Sequence, residues 1–442
     1  MKTQLRTRRR AAHRGPSRLA VLRRPTFRRF FIGYSTSLLG SAMSATATTF
    51  ALLDSGKSAA DLGYVMAAGI VPIVLCLLGG GVFADRLGSR RVMLAADGVR
   101  CLAQTVFAIV LFTGQPPLWV YVALVMVRSA GEGFFRPALT ALIPQLAGGG
   151  DLTDANALEG MADSATDVVG PAISGIIVAL FGPATVLALD AASYGVSILA
   201  LRSIHVANPT ARARNSVFAD VREGWTEFRS RTWLWVPTVQ FSLFNLLVWA
   251  PFLVLGPVVA HERYGGAKAW GLIMACYGAG SIIGGFAMLG RNPRRPIVVA
   301  TIATFGYACP PLALGLGAPG AGTAVAVLLA GIGSAVCGTL YTSTDQRMLP
   351  PEIRARISAY TTLGSFVLGP LGLAVAGPIA MATSIPLVLM IGAIWQISAS
   401  SVVLCLPAIR IQLPPVEPEA EHQQQPAPKS PLVAVERLGE GG

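Results

Sequence analysis

The residues of this chain with the clearest chemistry are carboxylates that lie inside long apolar stretches. Asp163 and Asp167 are four residues apart, so a helix places both on one face, and the apolar stretch around them contains no basic residue. Two carboxylates on one face cannot both ionise cheaply in a low dielectric. We therefore expect this pair to exchange a proton. The alternative is that Asp163 lies near the end of its helix and simply stays hydrated.

Charged residues of both signs occupy two earlier apolar stretches. Asp97 and Arg100 are one helical turn apart, and so are Arg128 and Glu132. An ionisable side chain at the centre of a bilayer costs roughly 2.5–3.5 kcal/mol on insertion scales, so each one needs a partner or a function. We predict that these four residues form a structural charge cluster that ties the two stretches together. Asp190, near the middle of a later stretch, is a further candidate for contact with a proton or a substrate.

The composition indicates that membrane helices position these residues. Hydrophobic residues make up 53% of the chain and charged residues 13%, whereas a soluble domain carries about 25% charged residues. The six cysteines lie in or beside apolar stretches without a C-x-x-C pair, which indicates packing rather than metal binding. Metalloprotease, hydrolase and phosphate-loop motifs are absent from the sequence, so we expect neither an enzyme nor a cofactor.

Twelve apolar runs are long enough to cross a bilayer, which takes roughly 20 residues. The first run is the weakest, because small and hydroxyl side chains fill it between Ser37 and Thr49, and we expect it to face other helices or a cavity. The sequence thus predicts an all-α membrane protein with twelve transmembrane helices. The runs lie near residues 30–53, 62–84, 92–113, 118–138, 157–180, 183–202, 233–257, 269–290, 297–317, 321–344, 355–379 and 383–407.

The distribution of basic residues predicts the topology and the domain boundaries. The two tails and the even-numbered loops carry 30 of the 35 lysines and arginines. Because cytoplasmic segments carry the excess of positive charge, both termini should be cytoplasmic. The net charge of +13 therefore indicates topology and not nucleic-acid binding. The predicted parts are a basic tail (1–29), a six-helix bundle (30–202), a linker with an amphipathic helix (203–232), a second six-helix bundle (233–407) and a disordered tail (408–442).

A glycine-punctuated basic loop joins the second and third runs. It reads Gly81-Val-Phe-Ala-Asp-Arg-Leu-Gly-Ser-Arg-Arg91, and this pattern resembles the loop signature of the major facilitator superfamily of secondary transporters. The resemblance implies two pseudo-symmetric bundles with a substrate site between them near the midplane. It also implies a gating role for the loop, in which Asp85 caps the start of the eleventh helix. The gating residues implied in this way are Gly81, Asp85, Arg86, Gly88, Arg90 and Arg91.

Further stretches resemble one bacterial branch of that superfamily. Gly170-Pro171 and Gly175 are similar to a signature of its drug–proton antiporters and should bend the fifth helix. Arg128 falls where the family's fourth helix often carries an arginine linked to proton coupling. The stretches 134–144, 152–158 and 346–356 look like those of multidrug, macrolide and enterobactin exporters.

The resemblance leads to a functional expectation. We expect a proton-coupled exporter of a small amphipathic drug or metabolite, working by alternating access as a monomer in the bacterial inner membrane. Its partners would be the substrate, protons and the lipid bilayer. An importer or facilitator of a small solute on the same fold is the alternative.

Overall fold

The computed structural model describes residues 20–147, 152–204, 225–291, 293–349 and 351–409. Within those ranges the chain is helical apart from short turns, and the helices make twelve long runs. They are α1 (Pro25–Asp54), α2 (Ala59–Leu87), α3 (Ser89–Thr113), α4 (Leu118–Ala147), α5 (Leu152–Phe181), α6 (Pro183–Arg202), α7 (Thr232–Arg263), α8 (Ala267–Met288), α9 (Pro296–Gly315), α10 (Gly320–Met348), α11 (in two pieces, Pro351–Phe366 and Gly369–Ala382) and α12 (Ile385–Cys405).

The all-α membrane fold is confirmed. Among the described residues, eleven runs are long and apolar enough to cross a membrane, and α1 is the run that is not among them. It is 30 residues long, but hydroxyl side chains such as Ser37, Ser44 and Thr46 are buried along it. These polar groups face the neighbouring helices, against which α1 packs closely. The twelfth crossing therefore stays a prediction.

The helices form two bundles, α1–α6 and α7–α12. At one end of the molecule the two bundles share a hydrophobic core. A large apolar cluster contains residues of both bundles, for example Phe50 and Leu52 with Phe252 and Leu255. A second cluster lies wholly within α1–α6 and its flanking residues, and a third wholly within the second bundle. The bundles thus meet at one end and have separate cores at the other.

Several glycines make close backbone contacts between the bundles. Gly63 of α2 and Gly377 of α11 each face a backbone carbonyl of the other helix. A Cβ on Gly175 of α5 would lie 2.5 Å from the carbonyl oxygen of Ala267, and one on Gly271 of α8 would lie equally close to that of Pro171. Small residues let membrane helices approach in this way. We call this the closed end.

The opposite end, where α1, α7 and α11 begin, is the open end. There, the first pieces of α7 (Thr232–Phe244) and α11 (Pro351–Phe366) pack mainly against other helices of their own bundle. Their later pieces, Ala250–Arg263 and Gly369–Ala382, are the ones that reach the first bundle. The two bundles therefore enclose a cleft that widens from the closed end to the open end.

Several of the predicted segments fall partly outside the described residues. These are the two tails and most of the linker, 205–224. The end of the predicted amphipathic helix is described, since residues 225–230 are helical. Phe228 is buried there, and its ring stacks on Tyr360 of α11 at a centroid distance of 5.9 Å. This part of the linker thus packs on the second bundle.

Candidate functional site

The turn between α2 and α3 carries the loop signature. Gly88 has φ of +88°, a left-handed conformation that favours glycine, and it precedes the first residue of α3. Arg90 donates from Nε to the carbonyl oxygen of Leu201 at 2.7 Å and from Nη2 to that of Arg202 at 3.1 Å. A basic side chain at the carboxyl end of a helix satisfies free carbonyls and complements the helix dipole. Arg90 thereby attaches this turn to the end of α6.

The other signature residues are less fully described. Arg86 and Arg91 are exposed. Gly81 and Asp85 lie in the last turns of α2, but their side chains are outside the described ones. The capping of α11 by Asp85 therefore stays a prediction.

Arg100 is the centre of a buried ion network between α3 and α4. Only 3% of its side chain is exposed, and it contacts Asp97 Oδ1 at 3.2 Å and Glu132 Oε2 at 2.7 Å. Glu132 in turn accepts from Arg136 Nε at 3.0 Å. The structure thus brings Asp97, Arg100 and Glu132 together, with Arg136 as the fourth member. Glu132 thus bridges the two cations, and opposite charges paired in this way offset part of the cost of burying them.

Aromatic and hydroxyl groups complete the surroundings of Arg100. Its guanidinium carbon lies 4.3 Å from the ring centroid of Tyr194 and 5.0 Å from that of Phe135. Nη2 also donates to Ser41, and Ser197 donates to Asp97 at 2.6 Å. Aromatic faces at these distances from a guanidinium favour the cation. The network thus joins α1, α3, α4 and α6.

Arg128 lies apart from this network, in a cavity between the two bundles. The cavity has a volume of about 370 Å³ and is lined by both bundles. Among the described residues Arg128 forms no hydrogen bond or ion pair, and the neighbouring Ser129 hydroxyl is buried without a hydrogen-bond partner. The other lining residues include hydroxyl side chains of α1 (Ser44, Thr46, Thr48, Thr49), apolar side chains of α2 (Leu62, Val65, Met66, Ile70, Ile73) and apolar side chains of the second bundle (Leu253, Trp270, Met274, Leu373).

Asp190 of α6 is fully buried behind that cavity. Its Oδ2 accepts a 2.5 Å hydrogen bond from Gln104 Nε2, and the same amide group donates to Ser44, which lines the cavity. Ser193 lies within 3.4 Å of the other carboxylate oxygen. Gln104 was not recognisable from the sequence as a functional residue, because a single amide in an apolar run has many possible roles. It links the buried carboxylate to the cavity wall.

Asp163 and Asp167 of α5 have different surroundings. Asp163 is half-buried and accepts a 2.9 Å hydrogen bond from the hydroxyl of Tyr34. Asp167 is exposed and makes no hydrogen bond or ion pair with a described residue. On the surface of α5, the direction of Asp167 falls between that of Gly170, which contacts α1, and that of Pro171, which contacts α8. Asp167 therefore faces the cleft, one turn from the cavity-lining Pro171.

Gly170, Pro171 and Gly175 position α5 against its neighbours. A Cβ on Gly170 would lie 2.5 Å from the side chain of Ala42, and Pro171 and Gly175 contact α8 as described above. α5 continues through Pro171 as one helix, so the expected bend stays a prediction.

Comparison with protein families connects these features to known proteins. A family model described as "Transmembrane secretion effector" matches residues 16–439. Macrolide efflux protein A of Streptococcus pyogenes is 23% identical over 355 residues, covering 78% of this chain and 87% of that protein. Multidrug efflux pump Tap of Mycolicibacterium fortuitum is 26% identical over 358 residues, covering 76% and 85%.

Solved structures share the fold at low sequence identity. The nucleoside transporter NupG superposes with a TM-score of 0.68 and 13% identity, over 86% of this chain and 98% of that one. A bacterial homologue of the lysosomal transporter Spinster, in an inward-facing and unoccupied conformation, superposes with a TM-score of 0.66 and 12% identity, over 89% and 97%.

Proposed function

The chain belongs to the transmembrane secretion effector family of major facilitator transporters, and on that basis we propose that it exports a small amphipathic drug or metabolite in exchange for protons. The observation that carries the proposal is the central cavity, which combines apolar walls with hydroxyl groups and one cation, Arg128. Such a surface suits a ligand with a large apolar body and a few hydrogen-bonding groups. The efflux proteins among its relatives support the same direction of transport.

The proposed mechanism is alternating access. The cleft is closed at one end by helix contacts and widens at the other, where α1 begins. With the basic tails in the cytoplasm, the open end faces the cytoplasm, so substrate enters from the side on which an exporter must collect it. Rocking of one bundle against the other would open the closed end and release the substrate outside. The protein would act as a monomer in the bacterial inner membrane.

Asp167 is our first candidate for the proton carrier. It is exposed to the cleft one turn from the cavity, so a proton and a substrate could reach the same region. Asp163 is held by Tyr34, and Asp190 is held by Gln104. We propose that these two hold α5 and α6 against their neighbours while Asp167 takes up and releases the proton. A carboxylate that is protonated and deprotonated in each cycle should have few fixed partners, because a fixed partner favours one of its two protonation states.

The experiment uses everted membrane vesicles from a bacterium that lacks its own drug exporters. A radiolabelled macrolide should accumulate when a proton gradient is imposed and should leak away after an uncoupler is added. Asp167→Asn should abolish this gradient-driven accumulation but keep exchange of labelled for unlabelled substrate, because exchange needs no net proton movement. The control is Asp154→Asn, in the first turn of the same helix, which should behave as wild type.

Accumulation that persists after the uncoupler would contradict proton coupling. Uptake into intact cells instead of everted vesicles would favour an importer. Full coupled transport by Asp167→Asn would exclude this residue and direct the search to Asp163 and Asp190.

A further inference from the structure

The central cavity has a charged residue in its wall. Among the described residues that line it, Arg128 is the side chain that is charged at neutral pH, and it lies half-buried on α4. A guanidinium carries five N–H donors and no acceptor. In a low dielectric each unpaired donor costs free energy, so the partners of Arg128 decide what the cavity can bind.

The carboxylates near Arg128 have other partners. Its charge acts on Asp190 and on Glu132, and these opposite charges stabilise a cation beside apolar walls. Asp190, however, accepts its hydrogen bond from Gln104, and Glu132 pairs with two other arginines. With the described residues Arg128 forms no hydrogen bond or ion pair. Its N–H donors are therefore left for a ligand in the cavity.

Ser129, the next residue of α4, provides a second donor beside Arg128. It lines the cavity and is 1% exposed, and its hydroxyl has no hydrogen-bond partner among the described residues. Two cavity-lining hydroxyls of α1 are occupied, since Ser44 accepts from Gln104 and Thr49 donates to a backbone carbonyl of its own helix. A buried hydroxyl without a partner is costly. A ligand that accepts hydrogen bonds would satisfy it.

Helix α2 has no side chain where it passes this hydroxyl. A Cβ on Gly69, which lines the cavity as well, would lie 3.5 Å from the hydroxyl oxygen of Ser129 and 3.1 Å from Val125. A larger residue at position 69 would therefore cover the hydroxyl. With glycine there, a change of the serine rotamer can bring the hydroxyl toward a ligand at Arg128.

The wall formed by the second bundle is apolar. Its described side chains offer contact area and, apart from one indole N–H, no hydrogen-bonding group. A ligand that fills the cavity thus has its polar end at α4 and its apolar body against the second bundle. The residues that the second bundle contributes are Leu253, Pro257, Trp270, Met274 and Leu373.

We propose that the polar end of the ligand is a carboxylate, which binds Arg128 and accepts a hydrogen bond from Ser129. A carboxylate is planar and has two oxygens, so it matches the fork of a guanidinium. The lactone carbonyl of a macrolide can use the same two donors, but it brings no charge. The inference rests on the proposed function, because it takes this cavity as the transport site. It makes apolar organic acids the preferred class of substrate.

The test compares two probes of nearly the same shape, 1-naphthylacetate and its neutral amide, 1-naphthylacetamide. Equilibrium binding is measured with the purified full-length protein in nanodiscs of zwitterionic lipid, without a gradient. Wild type should bind the carboxylate at least about tenfold more tightly than the amide, because hydrogen bonds between charged groups are roughly twice as strong as neutral ones. Arg128→Gln should abolish this preference by weakening only carboxylate binding. Arg229→Gln, which removes an exposed arginine of the linker, should keep it.

Ser129→Ala provides a measurement that a loss of folding cannot imitate. Because the hydroxyl has no partner among the described residues, its removal should keep or raise the melting temperature of the ligand-free protein. The same variant should bind naphthylacetate about 3- to 10-fold more weakly, since one hydrogen bond to the ligand is lost. A serine with a purely structural role would give the reverse, a lower melting temperature and unchanged binding.

Three results would overturn the proposal. They are the absence of naphthylacetate binding to wild type, equal affinity of wild type for the two probes, and a preference that survives in Arg128→Gln. Unchanged naphthylacetate binding in Ser129→Ala would overturn the assignment of that residue. None of these results bears on export, because no transport is measured. Conversely, vesicles that fail to accumulate substrate would refute export and leave the measured preference intact.

Discussion

The glycines at the closed end allow a sharp test of alternating access. A Cβ added to Gly175 would lie 2.5 Å from the carbonyl oxygen of Ala267, whereas ordinary contact begins at 3.4 Å. Gly175→Ala therefore forces α5 and α8 about 0.9 Å further apart. Overpacking of this kind costs about 1–3 kcal/mol. Since only the conformation with this end closed has the clash, its population should fall about 5- to 150-fold relative to the conformation with this end open.

The assay is pulsed EPR between spin labels at Lys57 and Glu262, which lie at the closed end on different bundles. Wild type should give a short distance, and Gly175→Ala a second, longer distance together with slower transport. Gly160→Ala is the matched control, because it lies on the same helix and its added Cβ would meet nothing within 4 Å. Identical distance distributions for the two variants would refute the idea that the glycine contact holds this end closed.

Three other substitutions have defined expected outcomes. Arg100→Gln leaves the buried carboxylate of Asp97 without its cation and should destabilise the protein by about 3–5 kcal/mol. This would be seen as a lower melting temperature of the purified protein, with partial recovery in Arg100→Lys. His261 Nδ1 lies 3.5 Å from Asp54 Oδ1 across the closed end. Because this contact joins α1 to α7, His261→Gln should weaken the closed end and add a longer component to the EPR distance between Lys57 and Glu262. Asp85→Asn should fold normally and export slowly in the vesicle assay, and normal export would exclude a gating role.

The helices were predictable because a backbone segment that crosses lipid in this kind of protein must be helical. A chain in hydrocarbon must satisfy its own amide groups, so each long apolar run becomes a helix. The runs near 92–113 and 383–407 match α3 and α12 within a few residues. α1 has a low mean hydropathy because it contains hydroxyl side chains. These groups are tolerated because they are buried against other helices rather than facing lipid.

The charge network was only partly predictable. Spacing along one helix shows that Asp97 can reach Arg100, but the bridge from Arg100 to Glu132 depends on how α4 is rotated about its axis. That rotation is fixed by packing, for example by Gly131, which lies against Arg100. The same rotation directs Arg128 into the cavity and leaves Arg136 as the partner of Glu132. The sequence alone does not specify the rotation of α4 about its axis.

A cavity of about 380 Å³ within the second bundle, lined by α7, α9, α10 and α11, could not be predicted from the sequence. Its aromatic residues come from four helices that are distant in the sequence, and the π-helical turn at Asn245 shifts the register of α7. Such a turn has no simple sequence signal.

The contacts that close the cleft have an evolutionary consequence. At Gly63, Gly175, Gly271 and Gly377 the bundles meet backbone against backbone, so at these four positions the contact does not depend on the identity of a facing side chain. Mutations that enlarge or recharge the cavity can then accumulate without compensating changes at these glycine contacts. A family that keeps such contacts could diversify its substrates quickly while its motion stays the same.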